Sequence, residues 1–254
     1  ETSARSVLFK SMDAQIYSDG SHVEQSPGYA FNVSDDLLDA RQLDRVNDKS
    51  WPKAQRVKLA NIVDSYWQFL SPNGTRPAIG DTFRNDARGV FLKPNLVLGT
   101  TRWPAAKPRP RDVFVLGTAA TRPYVNVAAI PATLGTRGDS YAMPQSGNYI
   151  MRSGNDAAAR QLIFDAGPKG GPHGHFDLLN FELSGYGRPL ISDPGAYKYD
   201  TSADRAYVIS TKAHNTIIAD GQNIATIEGA GNTDISVSQW KTGADFAQIT
   251  AAHR

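Results

Sequence analysis

The chain has 254 residues, 40% of them hydrophobic and 20% charged, and a net charge of +2. It is long enough to bury a sizeable core and ordinary enough in composition to fold, and so small a charge makes no case for a nucleic-acid partner. The absence of cysteine excludes disulfides and thiolate metal ligands, and no apolar run reaches the length of a membrane-spanning helix.

In chain order, Leu8, Met12 and Ile16 recur at helical spacing, and Asp19-Gly20 closes that helix. Residues 1–16 already read as mid-domain helix, so the chain is expected to be a piece of a longer protein. His22 to Tyr29 form a polar turn, with Pro27 where a helix begins. Val33, Leu37, Leu38 and Leu43 give a second helical face, with Asp35 and Asp36 expected in solvent. A third helix follows Ser50-Trp51-Pro52 and carries Leu59, Ile62, Val63, Tyr66 and Leu70 on one face, ending at Ser71-Pro72-Asn73-Gly74. Residues 1–75 are therefore expected to be helical.

From 76 to 145, read as a connector and the start of the β domain, the period is lost. Residues 76–81 read as a structured loop, and the Pro- and Arg-rich stretch 103–111 as a mobile connector. Beyond Ser146 short alternating runs indicate strands near 149–151, 161–164, 178–183, 189–191, 215–219, 235–240 and 246–251, separated by glycine turns. Residues 146–254 then form an antiparallel β-sandwich.

The densest chemistry lies in residues 167–195. His173 and His175 flank Gly174, so on an extended backbone both imidazoles leave one face. Asp193 stands at the exit of the hairpin that follows, and His214 comes later, in Ala213-His214-Asn215-Thr216. Imidazoles and a carboxylate are the donors that a zinc site takes. Spacing alone does not choose among these four residues, nor separate them from histidines solvated in a loop. His22 and His253 are read as exposed.

Residues 167–195 with Ala213-His214-Asn215-Thr216 resemble the signature of the heparinase II/III-like polysaccharide lyases, a group that includes alginate and heparan sulfate lyases. Residues 19–29 resemble the segment that carries that family's catalytic tyrosine. The resemblance implies an α+β multidomain fold: the end of an incomplete α/α toroid, then an antiparallel β-sandwich, with the active cleft between them. It implies cleavage of an acidic, uronic-acid-containing polysaccharide by β-elimination, in the periplasm or outside the cell. Tyr29 and His173 would be the catalytic pair, and Glu24, Gln25, Tyr199, Arg205 and Tyr207 would bind substrate. His175, Asp193 and His214 would hold a largely structural zinc, leaving His173 to the sugar. The family's Asn-His pair from an earlier toroid helix has no counterpart here, so this piece alone is expected to be a poor catalyst.

The chemistry asks for a base at the carbon beside a carboxylate, neutralisation of that carboxylate and an acid for the leaving oxygen. A tyrosine serves when nearby positive charge lowers its pKa from about 10, and a histidine titrates near working pH. Two other classes fit the same residues: a cupin-like or hydrolytic metalloenzyme whose metal does the chemistry, and a non-catalytic, zinc-stabilised carbohydrate-binding protein.

Overall fold

The computed structural model describes residues 2–131, 134–138, 140–224 and 235–253. Three helices open the chain: α1 (Thr2–Gln15), α2 (Pro27–Val46) and α3 (Lys53–Phe69). Met12, Leu37, Leu38, Leu59, Ile62, Val63 and Tyr66 from these helices meet in one core with Trp51, as their 3.6-residue spacing requires. Pro27 takes the first turn of α2, where its missing N–H is no loss. The Gly28 N–H donates to Thr82 Oγ1 at 3.0 Å, and Ser26 Oγ lies 2.9 Å from the same oxygen. The start of α2 is thus pegged to the loop at 80–82.

The stretch expected as a mobile connector is packed instead. Helices α4 (Leu92–Leu98), α5 (Pro110–Leu116) and α6 (Thr118–Thr121) lie in this part of the chain. Trp103 is buried and donates its indole N–H to Asp64 Oδ1 at 2.9 Å. Lys93, also buried, pairs with Asp35 at 2.7 Å and Asp39 at 2.6 Å, while Arg109 reaches Asp35 and Arg111 reaches Asp35, Asp36 and Asp39. Asp35 is accordingly buried rather than solvated. Helices of seven residues are too short to show a period, and ion pairs to α2 do here what an apolar stripe does elsewhere.

The β region opens with a meander of five antiparallel strands: β1 (Ser140–Met143), β2 (Asn148–Arg152), β3 (Gln161–Asp165), β4 (Phe181–Gly185) and β5 (Arg188–Ile191). A hairpin of β6 (Ile235–Thr242) and β7 (Ala247–His253) follows, its Trp240 packed on Tyr149 of β2 with ring centroids 5.2 Å apart. Met143, Ile150 and Ile163 form a second core with Ile79 and with Phe69 from the end of α3. The carbonyls at that helix end are taken by buried guanidiniums: Arg137 donates to Trp67 O at 2.9 Å and to Leu70 O, and Arg152 donates to Gln68 O. Cations suit a helix C-terminus, and here they lock the helical block to the β region.

Two strand expectations shift. Leu178 and Leu179 precede β4 instead of lying in it, with Leu179 at φ 60°. Residues 215–219 form no strand, because side chains fix them elsewhere. Asn215 donates to Phe181 O at 3.0 Å and Ser192 O at 3.2 Å, and Thr216 donates to Leu178 O at 2.7 Å. A short helix, α7 (Ala203–Val208), capped by Ser202, precedes them. The order of the architecture, a helical region and then antiparallel sheets, is the one that folds.

Candidate functional site

Glycines set the backbone of the histidine loop. Gly170 and Gly171 adopt φ of 80° and 71°, a region that costs other residues strain. A Cβ on Gly174 would stand 1.3 Å from the Lys169 carbonyl oxygen. The chain therefore folds into a 3-10 turn at Gly171–His173, and His173 and His175 do not leave one face of a strand. They converge instead on a carboxylate from another loop. Asp81 Oδ2 lies 3.1 Å from His173 Nδ1, and Oδ1 lies 3.0 Å from His175 Nε2. Arg205, on α7, grips the same carboxylate with Nη1 at 2.7 Å from Oδ1 and Nη2 at 2.9 Å from Oδ2. Burial by itself would raise the pKa of Asp81, but the hydrogen bonds from His175, Arg205 and His173 outweigh it and hold the carboxyl well below its usual range.

Above this carboxylate lies an aromatic face. The Tyr29 ring, in the first turn of α2, stacks on His173 with centroids 3.5 Å apart and planes 16° apart. The Tyr29 and Tyr199 hydroxyls are 3.2 Å apart, and the Arg205 guanidinium lies over the Tyr199 ring at 5.1 Å. Burial raises the pKa of the Tyr199 phenol well above its ordinary value, and the hydrogen bond with Tyr29 and the charge of Asp81 add to the rise. Tyr199 therefore stays protonated at working pH.

Behind the carboxylate, His175, Asp193 and His214 are all buried and offer ligand atoms within 4.8 Å of one another. His214 Nδ1 is 2.7 Å from Asp193 Oδ2, which also accepts from Asn180 Nδ2 at 2.6 Å, and Asp193 Oδ1 accepts from the Gly195 N–H at 3.1 Å. Two buried nitrogens, His175 Nδ1 and His214 Nε2, find no hydrogen-bond partner among the described residues. Orphaned imidazole nitrogens beside a carboxylate are a donor set that fits a metal ion. The surroundings are rich in carboxyl groups. Burial would lower the pKa of His214, yet the hydrogen bond and charge of Asp193, with Asp177 behind, raise it. Burial lifts Asp177, and lifts Asp165 well above the usual range with Asp177 adding its charge. A pocket that favours a protonated imidazole favours a metal cation for the same reason.

The site thus brings together Tyr29, His173, Tyr199 and Arg205 on one side of Asp81, and His175, Asp193 and His214 on the other. Gln25 is buried, its Oε1 accepting from Asn148 Nδ2 at 3.0 Å. Glu24 is half-buried, with Oε2 at 3.8 Å from His22 Nδ1. Tyr207 is exposed and its hydroxyl donates to the Lys212 carbonyl at 3.4 Å. His22, expected in solvent, is buried; that burial lowers its pKa against the opposing charge of Glu24. His253 is half-buried in β7. Sequence reasoning missed Asp81, Asn180 and Asn215. The only local signal for Asp81 was a carboxylate set directly behind an apolar Ala78-Ile79-Gly80 run.

The chain is similar to known proteins along nearly its whole length. Residues 1–99 match the family described as Heparinase II/III N-terminus, and residues 135–254 match Heparinase II/III-like, C-terminal. The heparin-sulfate lyase of Pedobacter heparinus is 26% identical over an alignment of 253 residues that covers 96% of this chain and 35% of that protein. Among solved structures, the heparan sulfate lyase of Pedobacter heparinus superposes with a TM-score of 0.76 at 25% identity, over 98% of this chain and 36% of that one. A heparinase III gene product gives a TM-score of 0.76 at 21% identity, over 97% and 36%. The chain spans about a third of the length of these relatives. With the N-terminal and C-terminal family regions both matched, in order, and with its helices and sheets folded as in those structures, the chain belongs to the heparinase II/III-like family.

Proposed function

We propose that this chain carries the cleft of a polysaccharide lyase that cleaves uronic-acid-containing acidic polysaccharides by β-elimination, with Tyr29 and His173 as the catalytic pair. The observation that carries the reading is the stack of Tyr29 on His173, centroids 3.5 Å apart, which sets a phenol of the helical block against an imidazole of the β region. The reaction takes the proton from the carbon beside the uronate carboxylate and breaks the bond from the neighbouring carbon to the glycosidic oxygen. A carbon–carbon double bond remains, and the departing oxygen takes a proton. Tyr29 and His173 are the groups that handle those protons. With Nδ1 engaged by Asp81, His173 offers Nε2 to the substrate, to share a proton or to offset the carboxylate charge. Arg205 adds positive charge beside the pair and the protonated Tyr199 a hydrogen-bond donor, groups that would offset charge growing as the proton leaves.

His175, Asp193 and His214 are assigned as the ligands of a zinc ion. When bound, the zinc supplies a structural anchor for the loop that carries His173. Complete burial of His175 and near-complete burial of Asp193 and His214 count against a metal that meets a polymer directly. The substrate is an acidic polysaccharide, and the place of action is the periplasm or the exterior of the cell; no described helix is long and apolar enough to cross a membrane. Heparan sulfate and heparin, for which the relatives are named, are the first polymers to try.

The test is to incubate the full-length protein with heparan sulfate, heparin, alginate and hyaluronan while following the absorbance of the new double bond. At least one polymer should give unsaturated product. Binding of polymer with no product would favour the non-catalytic carbohydrate-binding reading, and neither binding nor product would end the proposal.

A further inference from the structure

We infer that Asp81 is a positioning residue that joins the zinc pocket to the catalytic face, so that one carboxylate fixes the orientation of both His173 and His175. The inference rests on the lyase reading for the role of His173, and on the zinc assignment for that of His175.

Its basis is a filled carboxylate. An ionised carboxylate offers about four lone-pair directions, and the neighbours of Asp81 occupy both oxygens. Oδ1 accepts from His175 at 3.0 Å and lies 2.7 Å from Arg205 Nη1 in an ion pair, while Oδ2 accepts from His173 at 3.1 Å and from Arg205 Nη2 at 2.9 Å. The side chain is 1% exposed, so water does not compete for these bonds. The donors come from the histidine loop and from α7, and the acceptor from a third segment. Neighbouring atoms extend the hold. The Asp81 N–H donates to the His173 carbonyl at 2.9 Å, and Thr82, next in the chain, holds the start of α2 through Ser26 and Gly28, three residues and one residue before Tyr29. Residues 81 and 82 therefore locate both members of the catalytic pair.

The arrangement also fixes tautomers. Facing Asp81, His175 carries its proton on Nε2, which leaves Nδ1, the orphaned nitrogen, free of a proton and beside Asp193 and His214. His173 carries its proton on Nδ1, which leaves Nε2 for the substrate. A carboxylate behind a metal-binding imidazole is a common means of fixing both ring and tautomer; here the same carboxylate also serves an imidazole that binds no metal. A plain ion pair between Asp81 and Arg205 would make no such demand on either ring.

The experiment compares full-length parent protein with Asp81→Asn, Asp81→Glu and Arg205→Lys. Zinc affinity is read by competition with a chelator, turnover as kcat and KM on the best polymer, and tautomers by 15N shifts of His173 and His175 in the parent with and without added zinc. Asp81→Asn should weaken zinc binding and lower kcat, each by about 10- to 100-fold, with KM changed by less than about threefold. Asp81→Glu should recover part of both losses, and Arg205→Lys should leave zinc affinity near that of the parent. Parent-like zinc affinity or parent-like kcat in Asp81→Asn would overturn the inference. So would a proton on Nδ1 of His175 or on Nε2 alone of His173, a result that needs no variant to fold. Failure of the underlying reading looks different: the parent itself makes no product or holds no zinc, and the tautomers still decide the role of Asp81.

Discussion

The helical block and the loops of the β region are both buried, but by opposite means. Around α1 to α3 the most deeply buried side chains include Trp51, Leu59, Ile62 and Leu70; around the histidine loop the buried ones include Asp81, Asp165, His175, Asp177, Asp193 and His214. An apolar core is complete once its surfaces meet. A cluster of buried ionisable groups is stable only when every charge and hydrogen-bonding atom finds a partner. The second region leaves two imidazole nitrogens without one. The difference teaches where function sits: the helices make a largely apolar scaffold, and the loops gather buried imidazoles and a carboxylate that a bound cation would complete.

The comparison can be broken at its chemistry first. Tyr29→Phe removes one phenolic hydroxyl from the face that touches Tyr199. It should cut lyase turnover of the full-length protein by about 10²- to 10⁴-fold while leaving the melting temperature nearly unchanged. Equal turnover would show that the stack is packing and not catalysis.

Removal of zinc comes next. If the β region is completed by metal, stripping it with a chelator should destabilise the protein by about 4 kcal/mol at metal concentrations near a thousandfold above Kd. The loss should be concentrated in the loops around His175 and His214, read by hydrogen exchange, with α3 keeping its protection. Elemental analysis of the untreated protein should find about one zinc per chain.

Leu59→Ala makes the reverse test in the apolar core, where Leu59 is fully buried. A loss of about 2–5 kcal/mol is expected, with zinc content unchanged. A variant that shed its metal as well would mean that the two regions are not separable.

The smallest effect lies in the ion pairs that hold α5 to α2. Burial opposes ionisation of Asp39, but hydrogen bonds from Lys93 and Arg111 prevail and keep its pKa below the usual value. A carboxylate depressed on folding contributes stability that is present above the unfolded pKa of about 3.9 and is lost as pH falls through the folded value. Asp39 is partly exposed, so the difference between parent and Asp39→Asn should be under about 1 kcal/mol at neutral pH. It should shrink towards zero in melts taken below about pH 4.

The same division explains what was legible in the sequence. Leu59, Ile62, Val63, Tyr66 and Leu70 announce α3 because an apolar face repeats along the chain. Tyr149-Ile150-Met151 and residues 161–164 announce their strands by alternation and flanking turns. Trp103 and Arg111 misled, since a buried indole bonded to Asp64 and guanidiniums paired with α2 leave no period. Residues 215–219 have strand composition, but Asn215 and Thr216 spend their side chains on distant carbonyls. The histidines could be found as a motif, whereas their geometry could not, because Gly170 and Gly171 turn the loop out of the extended form. Asp81 was hidden for the plainest reason: its partners lie about a hundred residues further along the chain, and no local pattern encodes so distant a contact.

The most direct test of the account is the zinc content of two single variants of the full-length protein. The two imidazoles stand two residues apart and touch the same carboxylate, yet the account gives them separate roles. His173→Ala should lose most turnover and keep about one zinc per chain, with its melting temperature almost unmoved. His175→Ala should lose zinc and stability together, with turnover falling in consequence. Zinc lost from His173→Ala and retained in His175→Ala would contradict the assignment at its centre.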